Sequence, residues 1–176
     1  MYLNIRRLNL YFITFYIMNF KIGHGYDVHR LESNRKFTIG GIEIKHYKGV
    51  IGHSDADVVI HALCDAMLGA LSLDDIGSHF PDNDKKYKNI DSKILLGKVT
   101  ELCNKNGYRL SNADITILLQ EPKISKYKTK MIKVLSEVLN VDYSKISVKA
   151  TTTEGLGFIG REEGVAAQCV VIMKSL

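Results

Sequence analysis

The stretch KIGHGYDVHRL, from Lys21 to Leu31, reads as a β-strand that carries an acid and an imidazole two residues apart. Side chains at positions i and i+2 of a strand project from the same face of the sheet. Asp27 and His29 are therefore predicted to stand side by side, with Val28 on the opposite face. A carboxylate and an imidazole on one face are candidate ligands for a metal ion.

The composition fits one globular domain. The chain has 176 residues, of which 45% are hydrophobic and 24% charged, enough for a sizeable core. The net charge of +5 admits nucleic acid, a membrane surface or an anionic small substrate as partners. The lysines from Lys123 to Lys133 are interpreted as a solvated helix face, because no nucleic-acid recognition motif accompanies them. Three cysteines without CxxC spacing predict buried, reduced thiols.

The first twenty residues differ from the rest. Arg6 and Arg7 precede a hydrophobic and aromatic run that is too short for a confident membrane span. We interpret residues 1–20 as a leader or a tail outside the fold, and residues 21–176 as the folded domain.

Hydrophobic periodicity and turn signals predict mixed strands and helices. A hairpin is expected over 35–44 with its turn at Gly40-Gly41, and a helix over 55–71 with a capping box from Ser54 to Asp57. The segment 74–84 is expected to be a polar loop. The fold class is α+β: a single-domain sandwich with a mixed four-stranded sheet, helices on one face and a small β-hairpin. Further helices are predicted from DSKILLGKVTELCNKNG and ISKYKTKMIKVLSEVLN, and further strands from NADITILLQ, KISVKATTT and GVAAQCVVIMK.

His61 lies on the same face of the first predicted helix as Asp57 and Asp65, at spacings of four residues. Flanking carboxylates would orient a metal-ligating imidazole. Asp27, His29 and His61 together suit a catalytic zinc ion with an open fourth position. The alternative is a pair of structural histidines beside a solvated aspartate.

The segment KATTTEGLGFIGREEG, from Lys149 to Gly164, combines hydroxyls with glycines. Such a loop suits phosphate oxygens. Glu154 would hold Mg²⁺, and Arg161 would form a fork on a phosphate. The alternative is an ordinary hairpin loop after a Thr-rich strand, and no helix is expected to follow the glycines.

Taken together, six segments resemble the family of 2-C-methyl-D-erythritol 2,4-cyclodiphosphate synthases of the non-mevalonate (MEP) isoprenoid pathway. They occur in the family's order between about Lys21 and Lys174. The segments are IGHGYDVHRL, IGGIEI, HSDADVVIHALCDAMLGALSLDDIG, FPDND, DITILLQEPK and VKATTTEGLGFIGREEG.

The resemblance implies a phosphorus-oxygen lyase. Its substrate is 4-diphosphocytidyl-2-C-methyl-D-erythritol 2-phosphate, whose 2-phosphate attacks the β-phosphorus so that CMP leaves and a cyclic diphosphate forms. Holding both ends of one molecule together removes much of the entropic barrier. CMP is a phosphate leaving group with a second pKa of about 6, so no strong general acid is expected.

The resemblance also implies the roles of individual residues. Asp27, His29 and His61 bind one Zn²⁺ per subunit, and Glu154 binds Mg²⁺ or Mn²⁺. His53 and Thr152 are the catalytic residues that stabilise the transition state. The remaining substrate contacts are Ser54, with His53, at the 2-phosphate and erythritol end; Asp75 and Gly77 at the ribose hydroxyls; Leu119, Gln120, Glu121, Pro122, Lys123, Ile124, Ser125, Ala150 and Thr151 in the cytidine pocket; and, without an assigned part of the substrate, Val28, Ile76, Phe80, Pro81, Asp82, Asn83, Asp84, Thr153, Phe158 and Arg161.

The family implies a homotrimer with active sites between subunits, and an axial channel that accepts an isoprenoid diphosphate. Arg161 and Glu163 match the polar end of that channel. Tyr26 stands where Phe is commoner, and Glu121, Ile159 and Glu162 are further departures from the family pattern. No nucleic acid or membrane partner is expected. The leader suggests a plastid-type organelle, apicoplast or chloroplast, with the bacterial cytoplasm as the alternative.

Two other functions remain open from the residues. One is a zinc phosphohydrolase that uses water as nucleophile and yields a linear product. The other is a non-catalytic module that binds an isoprenoid diphosphate or a nucleotide around a structural zinc. The second would need a closed set of four protein ligands, whereas the sequence offers three candidates.

Overall fold

The computed structural model describes residues 19–81 and 83–176. The predicted leader lies outside the described residues except for its last two positions, and so does Asp82. Asn19 and Phe20 already belong to the folded part: the Asn19 carbonyl accepts from the Ser175 N–H, and Phe20 pairs with Lys174.

Seven strands in this described part of the chain form one large sheet and one hairpin. They are β1 Phe20–Ser33, β2 Phe37–Ile39, β3 Ile42–Ile44, β4 Lys48–Ile51, β5 Tyr108–Leu118, β6 Ile146–Thr151 and β7 Gly164–Ser175. The large sheet has the order β4-β1-β7-β5-β6, with only β5 and β6 parallel. It is mixed, as predicted, but it has five strands rather than four. The additional strand is β4, which pairs antiparallel with the end of β1.

The helices are α1 Val58–Ala70, α2 Ile76–His79, α3 Ser92–Lys105, α4 Lys128–Leu139 and α5 Gly157–Gly160. The three long helices were predicted. The single turns α2 and α5 were not. Helix α5 lies within the glycine-rich loop, and strand β7 comes after it, so the prediction that no helix follows the glycines is confirmed. One turn of helix is too short to produce a hydrophobic period.

The predicted start of α1 is wrong. Ala56 has a φ of 57°, which is incompatible with a right-handed helix. The N-cap is Asp57, whose carboxylate accepts the N–H groups of Val59 and Ile60 at 3.1 Å each. Ser54 therefore forms no capping box with Asp57.

The Asp57 carboxylate also joins the β2–β3 hairpin to α1. It accepts the N–H of Gly40 at 2.9 Å and that of Gly41 at 2.6 Å. Both glycines have positive φ, as the predicted two-residue turn requires. A fully buried carboxylate thus accepts four backbone N–H groups, and the hairpin is held against the helix that carries His61.

Helix α1 packs directly on β1 because two glycines of β1 face it. A Cβ added to Gly23 would overlap the carbonyl oxygen of Ala66, and one added to Gly25 would overlap that of Ala62. Ten of the thirteen α1 residues are buried, since the helix lies between the sheet and α3. The alternation of β1 places Asp27 and His29 on this helix-facing side.

The opposite face of the sheet carries exposed apolar side chains on its central strands. On β1, Ile22 is 73% exposed, Tyr26 46% and Val28 43%, and Val170 on β7 is 44% exposed. The prediction that helices cover one face only is confirmed for this part of the sheet.

Cys64, Cys103 and Cys169 are buried free thiols, as predicted. Burial raises the pKa of Cys103 to about 11 and that of Cys169 to about 12. Among the described residues, no helix combines the length and the hydrophobicity needed to cross a membrane.

Candidate metal centre and substrate cavities

Asp27, His29 and His61 converge at one point, as the sequence predicted. The three atoms Asp27 Oδ2, His29 Nε2 and His61 Nδ1 form a triangle with 3.0 Å between each pair. Strand β1 supplies two of these atoms from one face, and helix α1 supplies the third.

This donor set fits a metal ion. Zinc bonds of about 2.0–2.1 Å to nitrogen and oxygen place tetrahedral ligands about 3.3 Å apart, which is close to the observed separation. Two imidazoles and one carboxylate form the three-ligand set of a zinc site with an open position. Each of the three side chains is partly buried, so the group is reachable from solvent.

The surroundings of Asp27 and His61 shift the pKa values of both groups. Burial alone would raise the pKa of Asp27, but the hydrogen bonds and charges of His29 and His61 hold it well below its usual range. Burial would lower the pKa of His61, yet its bond to Asp27 and the nearby carboxylates raise it. The carboxylate is thus kept ionised, as a metal ligand must be.

The carboxylates predicted to orient His61 have other roles. Asp57 caps α1, and Asp65 Oδ1 accepts the N–H of Ile76 at 2.8 Å. The predicted support by Asp57 and Asp65 is therefore wrong, because each carboxylate is committed to backbone groups. The contacts of His61 Nε2 are instead the hydroxyl oxygens of Ser54 and Ser92, at 3.0 Å each.

Asp27, His29 and His61, here called the metal group, lie at the wall of a cavity of about 400 Å³, here called the metal-side cavity. Eight of the predicted site residues line it: Asp27, His29, His53, Ser54, His61, Ile76, Gly77 and Phe80. Within it, the His53 Nε2 atom is buried and has no hydrogen-bond partner among the described residues. An unpaired buried imidazole nitrogen beside a cavity is available to a bound molecule.

A second cavity of about 180 Å³, here called the nucleotide-side cavity, lies between the end of β5 and the end of β6. Nine predicted residues line it: Leu119, Gln120, Pro122, Lys123, Ile124, Ser125, Ala150, Thr151 and Thr152. The two cavities share no lining residue within one chain. Within one chain, the predicted site residues are therefore gathered into two separate cavities.

Glu154 lies two positions after Thr152, which lines the nucleotide-side cavity, and its backbone conformation is strained. Its φ of 53° lies in the left-handed region. The Thr152 hydroxyl donates to Glu154 Oε1 at 2.8 Å and accepts the Glu154 N–H at 3.3 Å. In the described part of the chain, Glu154 belongs to no group of three metal-ligating side chains, so the protein would offer a cation one carboxylate there.

Several predicted contacts line neither cavity. The Val28 side chain points to the opposite face, because strand residues alternate. Asp75 caps α2 through the N–H of Ser78 at 2.8 Å. Arg161 is paired with Glu163 at 2.9 and 3.0 Å, in a separate depression beside Lys48. The others outside both cavities are Pro81, Asn83, Asp84, Glu121, Thr153, Glu154 and Phe158.

Glu162, one of the residues that differ from the family pattern, makes contacts of its own. Glu162 has a φ of 55°, a conformation that glycine adopts without strain. Its carboxylate accepts the Tyr47 hydroxyl at 2.6 Å, and its carbonyl accepts Lys48 Nζ at 2.8 Å. These contacts hold the loop that carries Arg161 against the start of β4.

Sequence reasoning missed five lining residues: Gly52, Tyr87, Ile90 and Leu95 in the metal-side cavity, and Lys128 in the other. Tyr87 packs edge-on against Phe80 with ring centroids 5.4 Å apart. Neither Tyr87 nor Ile90 follows a hydrophobic period that could have revealed it. Leu95 does lie on the apolar stripe of α3, but that stripe by itself indicates only burial.

Fold and site together define a single-domain α+β protein in which a strand and a helix bring together three side chains that could hold a metal ion. The sequence model of the YgbB family matches residues 20–174, and the chain belongs to that family. The chain is 53% identical over 156 residues to the 2-C-methyl-D-erythritol 2,4-cyclodiphosphate synthase of Bacteroides fragilis, covering 89% of this chain and 98% of the relative.

Solved structures agree with the sequence comparison. The Plasmodium falciparum IspF in its CDP complex is 37% identical, with a TM-score of 0.79 over 89% of this chain and 96% of that one. The bifunctional IspDF of Campylobacter jejuni is 42% identical, with a TM-score of 0.87. That match covers 90% of this chain and 43% of the bifunctional protein.

Proposed function

We propose that the protein converts 4-diphosphocytidyl-2-C-methyl-D-erythritol 2-phosphate to 2-C-methyl-D-erythritol 2,4-cyclodiphosphate and CMP in isoprenoid precursor biosynthesis. The observation that carries the proposal is the triangle of Asp27, His29 and His61 beside a substrate-sized cavity, in a chain of this family. By reaction type the protein is a phosphorus-oxygen lyase that releases CMP.

The metal of the triangle is zinc in this proposal. Two imidazole nitrogens favour zinc over magnesium, which prefers oxygen ligands. A zinc ion held by Asp27, His29 and His61 would act as a Lewis acid that polarises a phosphate oxygen. Asp27 contributes the negative charge of the ligand set, and the two histidines leave one position open toward the cavity.

Glu154 is the proposed ligand of a second cation, Mg²⁺ or Mn²⁺. A single carboxylate with phosphate oxygens and water is a usual magnesium environment, and the charge of that cation would offset the repulsion between the two phosphates. Its contact with the Thr152 hydroxyl keeps the Glu154 carboxylate next to a second proposed catalytic group.

The protein's own part in the reaction is mainly positioning. His53 and Ser54 would hold the erythritol 2-phosphate end in the metal-side cavity, which Ile76, Gly77 and Phe80 also line. The unpaired Nε2 of His53 is free to bond a phosphate oxygen as charge develops there. The nucleotide-side cavity around Lys123 would hold the cytidine.

We further propose a homotrimer with each active site between two subunits. Within one chain the two cavities share no lining residue, although one substrate must reach both. The exposed apolar face of β1 and β7 supports association, because contiguous apolar surface of this kind is usually covered. Arg161 and Glu163 would border an axial channel for an isoprenoid diphosphate at one end of this face.

Of the two proposed locations, the bacterial cytoplasm is better supported than a plastid-type organelle. The relative that is 53% identical comes from Bacteroides fragilis, whereas a plastid-type organelle rests on the composition of residues 1–18 and their neighbours. The proposal that residues 1–20 lie outside the catalytic domain is kept for residues 1–18 only, because Asn19 and Phe20 pair with β7 and the family match starts at residue 20.

The decisive experiment identifies the product. Purified protein with zinc and Mg²⁺ is given the diphosphocytidyl substrate, and CMP release and the ³¹P spectrum are followed. The expected result is CMP and a cyclic diphosphate in equal amounts. A linear monophosphate would favour the zinc phosphohydrolase instead, and substrate that binds without turnover would favour the non-catalytic module.

A further inference from the structure

Ser92 is a fully buried polar residue at the start of α3, and no role at the site was expected of it. Its Oγ lies 3.0 Å from His61 Nε2, and its hydroxyl also contacts Asp55 Oδ1. We propose that Asp55 and Ser92 are positioning residues that hold His61 in the tautomer and orientation required for metal binding. The inference rests on the metal site proposed above and deepens it.

The direction of the bonds follows from the partners of Asp55. Its Oδ2 accepts the backbone N–H of Ser92 at 3.1 Å, and its Oδ1 accepts that of Asp57 at 3.3 Å. A carboxylate that accepts from fixed backbone donors can offer Ser92 only an acceptor. The Ser92 hydroxyl proton therefore points to Asp55, and the lone pairs of Ser92 Oγ remain for His61 Nε2–H.

The other hydroxyl at this nitrogen is compatible with the same direction but does not fix it, because a hydroxyl can also donate. Ser54 Oγ lies 3.0 Å from His61 Nε2 and accepts the Ala56 N–H at 3.1 Å. With its proton at Nε2, His61 directs the Nδ1 lone pair to the point shared with Asp27 and His29. A metal-ligating imidazole is fixed in this way by the hydrogen bond of its other nitrogen.

The opposite tautomer would break the chain of bonds. Its unprotonated Nε2 would face the lone pairs of Ser92 Oγ at 3.0 Å unless the Ser92 hydroxyl turned away from Asp55, and Asp55 would then lose its hydroxyl donor. The Nδ1 proton would then occupy the position that the metal needs. Asp55 thus sets the tautomer of His61 through Ser92 without touching the imidazole.

The test measures zinc binding without substrate. Zinc affinity of the full chain is determined by chelator competition for the wild type, Ser92→Ala, Asp55→Asn and the double variant. Losing such a partner typically costs about 10–100-fold in metal affinity, and we expect this for Ser92→Ala. Because Asp55 acts through Ser92, the double variant should bind zinc about as well as Ser92→Ala alone.

A matched control is Ser136→Ala. Ser136 is also a buried helix serine, but its hydroxyl donates to the Lys133 carbonyl, and it lines neither cavity. Its removal should leave zinc affinity unchanged. Zinc affinity of Ser92→Ala within twofold of wild type, or fully additive losses in the double variant, would overturn the proposal.

A second measurement needs no variant. In the zinc-loaded wild type, the His61 Nε2–H proton should give an NMR signal that exchanges slowly with water, because two hydroxyl oxygens accept it. Fast exchange of that proton would also overturn the proposal, even if Ser92→Ala fails to fold. Zinc binding that behaves as expected in a protein that releases no CMP would leave this inference standing and refute the proposed function.

Discussion

Gly25 on β1 lies against the carbonyl oxygen of Ala62 on α1, with no room for a side chain between them. Ala62 follows His61, and Gly25 precedes Asp27 by two residues. Strand and helix therefore approach each other closely right beside Asp27, His29 and His61. The spacing of Asp27, His29 and His61 therefore depends on having glycine, which carries no side chain, at position 25.

Gly25→Ala should separate α1 from β1 and disturb this spacing. Overpacking in a core costs about 1–3 kcal/mol, so we expect a lower free energy of unfolding and weaker zinc binding. Denaturant unfolding and chelator competition measure both. The control is Gly69→Ala on α1, where an added Cβ meets nothing within 4 Å. It should be neutral or stabilising by up to about 1 kcal/mol; equal effects at both positions would contradict the prediction.

Asp57→Asn should destabilise the protein although asparagine is a good N-cap. The amide oxygen can replace Oδ1, but the NH₂ group would then face the N–H of Gly41. A buried donor left without an acceptor costs about 1–3 kcal/mol. Asp91→Asn is the control, because Asp91 caps α3 through one N–H, at Lys93. If unfolding shows the same stability change for both variants, the hairpin contact of Asp57 contributes nothing.

The two proposed metals should be separable by mutation. His61→Ala should lose bound zinc and activity with the fold retained. Glu154→Gln should keep zinc but lose the response of CMP release to added Mg²⁺, since the amide is a poorer ligand for a hard cation. Elemental analysis and Mg²⁺ titration decide the matter, with His46→Ala as control. Zinc retained by His61→Ala, or stripped from Glu154→Gln, would refute the assignment.

Mixed trimers should restore activity to two inactive variants. His61→Ala damages the metal-side cavity, and Lys123→Ala damages the nucleotide-side cavity. If a site takes one cavity from each of two subunits, random equimolar exchange leaves about one quarter of the sites intact. CMP release after exchange measures this recovery. Asp27→Ala mixed with His61→Ala is the control and should recover nothing. Absence of recovery in the first mixture, with subunit exchange verified, would argue against a shared site.

Removal of residues 1–18 should leave zinc binding and CMP release intact, because the family match starts at residue 20. Removal through Phe20 should cost about 1 kcal/mol of stability, since it also deletes the bond between Asn19 and Ser175 and the first ladder pair of β1. Thermal unfolding compares the two truncations. A shorter truncation that precipitates would show that the leader packs on the domain.

The sequence predicted the parts of the fold and site that depend on local pattern. The alternation of β1 gave Asp27 and His29, the apolar periods gave the three long helices, and Gly40-Gly41 gave the hairpin turn. The residues assigned to each cavity were recovered largely through the resemblance to the family. The pattern of β1 alone left a structural role for these histidines open.

The misses involve contacts between distant segments. Ser92 lies 31 positions after His61, and no periodicity links them. Asp57 and Asp65 share a helix face with His61, but backbone N–H groups of the hairpin and of α2 bind them first. The short strand β4 was missed because its pairing with β1 depends on tertiary structure. The positive φ of Ala56 could not be predicted either, because alanine rarely adopts this conformation and its presence does not signal it.

The alternation of β1 also limits how this segment can change in length. Side chains of a strand alternate between two faces. One residue inserted or deleted between Gly25 and Asp27 would therefore move every later side chain of β1 to the opposite face of the sheet. Asp27 and His29 would turn outward, and Val28 would face α1. Single substitutions on the outer face are compatible with the metal group, whereas an odd-numbered insertion or deletion is not. Lineages of this chain should therefore vary in residue identity on the outer face of β1 while keeping the count of residues from Gly23 to His29 fixed.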